Sequence, residues 1–151
     1  MSNSLVVLVK SASNLRDQDG LGAGGSDAYV KLRLVDSGGS TVAGPKETSV
    51  KNDTSDPEWN EEVVFEGLET PAAYTLKLNI LDKDSVLGIG GSEVLDCLAA
   101  DDKLGSAEVD LGTLDNTEDF QDRTLVVERR FFGLFKSTLN VALSTRGGWG
   151  N

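Results

Sequence analysis

The sequence predicts an all-β protein, an antiparallel β-sandwich of about eight strands. Short apolar runs recur along the 151 residues, and several of them alternate with a period of two. Clusters of Gly, Asp, Ser and Pro separate these runs, and almost nothing follows a helical period. A sandwich of this kind gathers its loops at two ends, which is where function is expected.

Leu5 to Lys10 is an apolar, β-branched run suited to a well-buried strand. Ala28 to Leu34 alternates, with Val30, Leu32 and Leu34 on one face and Tyr29, Lys31 and Arg33 on the other. Val35 to Gly44 reads as loop, and Lys46 to Lys51 as a polar edge strand. Glu61 to Glu66 comes next, then Thr75 to Leu81, which sets Leu76, Leu78 and Ile80 inward against Lys77 and Asn79. Gly105 to Leu111, Arg123 to Glu128 and Ser137 to Ser144 complete the set, the last with Leu139, Val141 and Leu143 facing one way. Ser92 caps one short helical turn, Glu93 to Ala100, inside a long insertion. One domain is expected over residues 1–145, followed by a loose glycine-rich tail, 146–151, around Trp149.

At 38% hydrophobic and 26% charged residues the chain has an ordinary soluble composition. A net charge of −11 excludes nucleic acid as a partner, because phosphate binding needs massed Lys and Arg, and it opposes unaided binding to an anionic membrane. The chain has no histidine, which removes His-dependent triads, His-containing zinc sites and Cys–His nucleophiles. Its single cysteine, Cys97, rules out an intrachain disulfide and reads as a small apolar residue rather than a nucleophile. The start, MSNSLVVLVKSASN, lacks the pattern of a secretory signal, so the expected compartment is the cytosol. Catalysis is not expected.

Two groups of aspartates stand out. Asp17, Asp19 and Asp27 lie in a glycine-rich stretch; Asp82 and Asp84 end a strand, and Asp101 and Asp102 follow after the insertion. A single aspartate in a turn is ordinarily just solvated. Both groups border strongly patterned strands, however, and carboxylates from two neighbouring loops are what a hard cation such as calcium takes as ligands.

Four segments in order carry a family resemblance. Gly25-Ser26-Asp27-Ala28-Tyr29-Val30-Lys31-Leu32 resembles the Ser-Asp-Pro-Tyr-Val-Lys signature of C2 domains, with Ala28 in place of the proline. Asp56-Pro57-Glu58-Trp59-Asn60-Glu61 is similar to their Asn-Pro-x-Trp-Asn-Glu segment. Leu81-Asp82-Lys83-Asp84 resembles their third-loop Asp-x-Asp, and Asp101-Asp102-Lys103-Leu104-Gly105 resembles the Asp-x-x-Gly that closes that loop. The resemblance implies an eight-stranded sandwich with three calcium-binding loops at one end. It also implies the permuted, type II connectivity, with Ser137 to Ser144 taking the place of the family's first strand.

By motif position the calcium ligands would be Asp19 and Asp27 from the first loop and Asp82, Asp84 and Asp102 from the third, holding two or more ions. The extra glycine-rich residues of the first loop leave Asp17 competing with Asp19. The long third loop leaves Asp101 competing with Asp102 and admits Glu93 or Asp96 as a further ligand. The function implied is calcium-dependent binding to a phospholipid membrane by a cytoplasmic, peripheral protein. Val86, Leu87 and Ile89, set among glycines in the third loop, form an apolar tip suited to entering a bilayer. Lys31 and Arg33, with Lys46 and Lys51 nearby, form the basic surface that many relatives turn to lipid head groups; Glu47 and Ser49 dilute it, and calcium-independent phosphoinositide binding is expected to be weak or absent. Arg129 and Arg130 beside Phe131 and Phe132 read as cover for the sandwich edge. A calcium-binding or calcium-independent adaptor that docks a protein partner would use the same fold and is the alternative.

Overall fold

The computed structural model describes residues 3–15, 26–83, 102–130 and 132–147. Their strands form two antiparallel sheets. The elements are β1 (Asn3–Ser13), β2 (Ser26–Val35), β3 (Thr41–Glu47), β4 (Lys51–Thr54), β5 (Glu58–Leu68), β6 (Thr75–Asp82), β7 (Asp102–Asp110), β8 (Gln121–Arg130) and β9 (Phe135–Arg146). One sheet runs β5-β1-β9-β8 and the other β3-β2-β6-β7, with β4 also paired to β2. The last strand thus lies between the first and β8, the place that the permuted connectivity requires.

The alternating runs build the core. Leu5, Val7 and Val9 from β1 and Leu139, Val141 and Leu143 from β9 meet Val30, Leu32 and Leu34 from β2 and Leu76, Leu78 and Ile80 from β6. Phe65 and Trp59 of β5 close the same cluster. Each such side chain contributes roughly 1.5–3 kcal/mol when fully buried, so the sheets are held face to face mainly by this layer. Tyr29, expected outside with Lys31 and Arg33, is also buried, paired in register with Leu81. Buried hydroxyls are matched: Ser137 Oγ donates to the Asn14 carbonyl at 2.7 Å and Ser144 Oγ to the Glu118 carbonyl at 2.7 Å.

Nine strands, rather than the eight expected, are present among the described residues. Residues 46–51 do not make one edge strand. β3 begins earlier, in a segment that reads as loop, and β4 begins where the expected strand ends. Gly44 and Pro45 obscure β3 in the sequence, yet an edge strand tolerates proline because one side of it has no ladder to complete. Thr48 bridges the gap between the two short strands: its N–H donates to the Val30 carbonyl and its Oγ1 accepts the Val30 N–H, both at 2.9 Å.

A second correction concerns the connection between β8 and β9. Phe132, expected with Phe131 to cover the sandwich edge, stands exposed, as do Leu134 and Phe135, while Phe131 lies outside the described residues. Phe132 and Gly133, in the turn that joins β8 to β9, both have positive φ, 59° and 85°.

Gly105 of β7 packs closely against Val127 of β8. A Cβ there would lie 2.9 Å from both the Val127 Cβ and the Val127 carbonyl oxygen. Backbone cannot yield as a side chain can, so Gly105→Ala is expected to cost about 1–3 kcal/mol, read as a lowered thermal midpoint.

Candidate functional site

The ends of β1, β6 and β8 and the starts of β2, β5, β7 and β9 share one end of the sandwich. Register fixes this: Ala28 pairs with Asp82, Asp82 with Asp102, Ser26 with Thr54, Ser11 with Glu58 and Ser13 with Thr138. The two aspartate groups, far apart in sequence, therefore border the same end.

Asp27 and Asp82 are in direct contact. The Asp27 N–H donates to Asp82 Oδ1 at 2.9 Å, and the Lys83 N–H donates to the Asp27 carbonyl at 2.7 Å. These bonds orient the Asp82 carboxylate and lock the end of β6 to the start of β2. Asp27 Oδ1 in turn accepts the Asp53 N–H at 2.8 Å. The backbone of Asp102 pairs with Asp82, which starts β7 beside the same carboxylates.

Asp53 is the residue that sequence reasoning missed. It sits in the left-handed region, φ 57°, within the short strand β4. Asn and Asp are the non-glycine residues most often found there, so Asn52-Asp53 was a turn signal. Nothing in the spacing, however, announced that its backbone would meet Asp27. Asp56, by contrast, has a structural part: its Oδ1 accepts the Asn14 N–H at 2.9 Å. The Trp59 indole donates to the Ser49 carbonyl at 2.9 Å, so the Asp-Pro-x-Trp-Asn-Glu segment anchors the neighbouring loop.

Asp17, Asp19, Asp84 and Asp101 lie outside the described residues, as do Glu93, Asp96, Cys97, the apolar residues Val86, Leu87 and Ile89, and the expected helical turn at 93–100. Of the seven aspartates singled out, the side chains of Asp27 and Asp82 are described. Among the described residues no group of three acidic, cysteine or histidine side chains is placed to hold a metal. The donor set nevertheless suits calcium: two oriented carboxylates, with every other candidate a hard oxygen ligand and no histidine or thiolate called for.

Lys31 and Arg33 lie on the outer face of β2. Lys31 Nζ is 4.0 Å from Glu47 Oε2, and Arg33 Nη1 donates to Thr41 Oγ1 at 3.0 Å. Lys77, opposite Arg33 on β6, pairs with Glu108 at 3.0 Å. The basic surface is thus interleaved with acidic partners, which weakens it as an anion site.

The C2 domain family model matches residues 3–125. Synaptotagmin-2 of Arabidopsis thaliana is 34% identical over 132 residues, 82% of this chain and 23% of that protein. Synaptotagmin-5 of Rattus norvegicus is 33% identical over 108 residues, 70% of this chain and 26% of that protein. The chain therefore spans about a quarter of the length of these curated relatives. Among solved structures, a C2 domain of plant Extended Synaptotagmin 1 matches with a TM-score of 0.71 at 26% identity, over 95% of this chain and 94% of that one. The matched segment runs from the first residues of β1 into β8, taking in every strand that borders the aspartates, and the chain belongs to the C2 domain family.

Proposed function

We propose that this chain is a calcium-dependent phospholipid-binding module, in which calcium held by loop aspartates turns on docking to a membrane. The observation that supports it is the bond from the Asp27 N–H to the Asp82 carboxylate, which joins the borders of the first and third loops at one end of the sandwich. Asp19, Asp84 and Asp102 are the further ligands proposed, with Asp17 and Asp101 as their neighbours. Calcium would supply positive charge and open coordination positions there.

Five carboxylates in one crevice carry roughly −5, and each like-charge pair a few ångströms apart costs on the order of a few kcal/mol at an effective dielectric near 20. Two calcium ions contribute about +4, which nearly cancels the local field. The end of a strongly acidic protein then changes from repelling an anionic surface to accepting one. Val86, Leu87 and Ile89 are proposed to add apolar insertion. The action is binding rather than catalysis. No helix among the described residues is long and apolar enough to cross a membrane.

Vesicle co-sedimentation tests this. The chain is expected to pellet in calcium and to stay in the supernatant with chelator. Leu87→Ser with Ile89→Ser is expected to lose bilayer binding about tenfold or more while calcium affinity, read by calorimetry, stays unchanged. Loss of neither would move the domain to docking a protein.

A further inference from the structure

We propose that the β8–β9 hairpin is a second membrane-contact element, its aromatic tip and basic flanks taking an anionic phospholipid surface at the same end of the sandwich as Asp27 and Asp82; this rests on the membrane reading above. Four observations support it.

The first is position. The hairpin closes with Arg130 opposite Phe135, and its base is tied to the loop end. Asn14 Nδ2 donates to the Lys136 carbonyl at 3.0 Å, while the Asn14 N–H donates to Asp56 and the Leu15 N–H to the Ser55 carbonyl. Asp53, two residues before Ser55, donates to Asp27. A short chain of contacts thus runs from the hairpin base to the candidate metal carboxylates, so the two share one end of the sandwich.

The second is exposure. Phe132 is 107% exposed, Leu134 80% and Phe135 52%, above Val42, Phe120 and Val126, the other exposed large apolar side chains described. Contiguous exposed aromatic surface at a loop tip marks an interaction site.

The third is backbone strain. Phe132 adopts φ 59°, where an aromatic residue is a genuine outlier and Asn or Gly would sit more easily. Backbone strain of this kind gathers at functional positions, which fits a contact role for the ring.

The fourth is charge. In a chain of net charge −11, residues 129–136 carry Arg129, Arg130 and Lys136 and no acidic side chain. Arg129 and Lys136 are cross-strand partners, a like-charge pair that weakens an isolated hairpin and that an anionic surface would relieve. Aromatic residues with basic flanks are the pairing that suits the membrane interface, rings at head-group depth and cations among phosphates. A protein groove could take the rings, but it would not account for the hairpin base lying at the end that carries Asp27 and Asp82.

The test uses the full chain with vesicles of phosphatidylcholine and phosphatidylserine in saturating calcium. Phe132→Ser, Leu134→Ser and Phe135→Ser together are expected to weaken binding about a hundredfold, with calcium affinity and thermal midpoint kept. In a Cys97→Ser background, a fluorophore on Phe132→Cys is expected to be quenched by lipid-borne quenchers, and one on Ser37→Cys, at the opposite end, is not. This second readout does not depend on the triple variant folding. Wild-type pelleting with an equally bound triple variant and an unquenched tip would overturn the hairpin's part alone. Failure of the wild type to pellet would overturn both proposals. A triple variant that changes the oligomeric state while vesicle affinity is kept would assign the tip to a second copy of the chain instead.

Discussion

Asp82→Asn is expected to lower calcium affinity by on the order of a hundredfold, and calcium-dependent vesicle binding with it. Removing one unit charge beside a divalent ion is worth a few kcal/mol at an effective dielectric near 20, and every 1.4 kcal/mol is tenfold. The substitution keeps an oxygen that can still accept the Asp27 N–H, so the link between β2 and β6 survives. It also removes a like-charge repulsion from the calcium-free state, so the calcium-free domain should melt no lower than wild type. Weakened calcium binding without a lower calcium-free melting point separates a ligand from a structural residue, and calorimetry with thermal melting in chelator reads both. A melting point several degrees lower would make Asp82 a residue of the fold instead.

Phe65→Ala is expected to destabilise the domain by about 3–5 kcal/mol, a large part of the stability of a domain this size. Phe65 is among the largest fully buried side chains, and its removal leaves a cavity between the sheets. Its ring also lies against the β2–β3 edge: Lys46 Nζ stands 5.6 Å from the ring centroid, and a Cβ at Gly44 would meet Phe65 Cε1 at 3.3 Å. Backbone at Gly44 cannot collapse into the space freely, since φ there is 88° and the Leu32 carbonyl is already close. Chemical denaturation should show a lower midpoint with an unchanged slope. A cost below about 1 kcal/mol would mean that the core relaxes into the cavity.

Much of the sandwich was legible because a half-buried strand must alternate. Val30, Leu32 and Leu34, Leu76, Leu78 and Ile80, and Leu139, Val141 and Leu143 all face the core as their period requires. β3 was hidden because an edge strand buries little and so need not alternate, and Gly44-Pro45 imitates a turn. At the site, the meeting of Asp27 with Asp82 was legible from the motifs that contain them. Asp53 was not, since its place depends on a tertiary hydrogen bond to Asp27. The hairpin misled for the opposite reason. Phenylalanines are usually interior, and nothing in the residue types announces that Phe132 and Phe135 stand exposed around a turn.

Calcium bound at the loop end is proposed to switch on membrane docking. The most direct test of this is a calcium titration of vesicle pelleting, run beside calorimetric calcium binding on wild type and Asp82→Asn. Pelleting should rise with calcium occupancy in the wild type, vanish in chelator, and shift to higher calcium in the variant together with the binding curve. Pelleting that persists in chelator, or that keeps its wild-type midpoint in Asp82→Asn, would contradict the account.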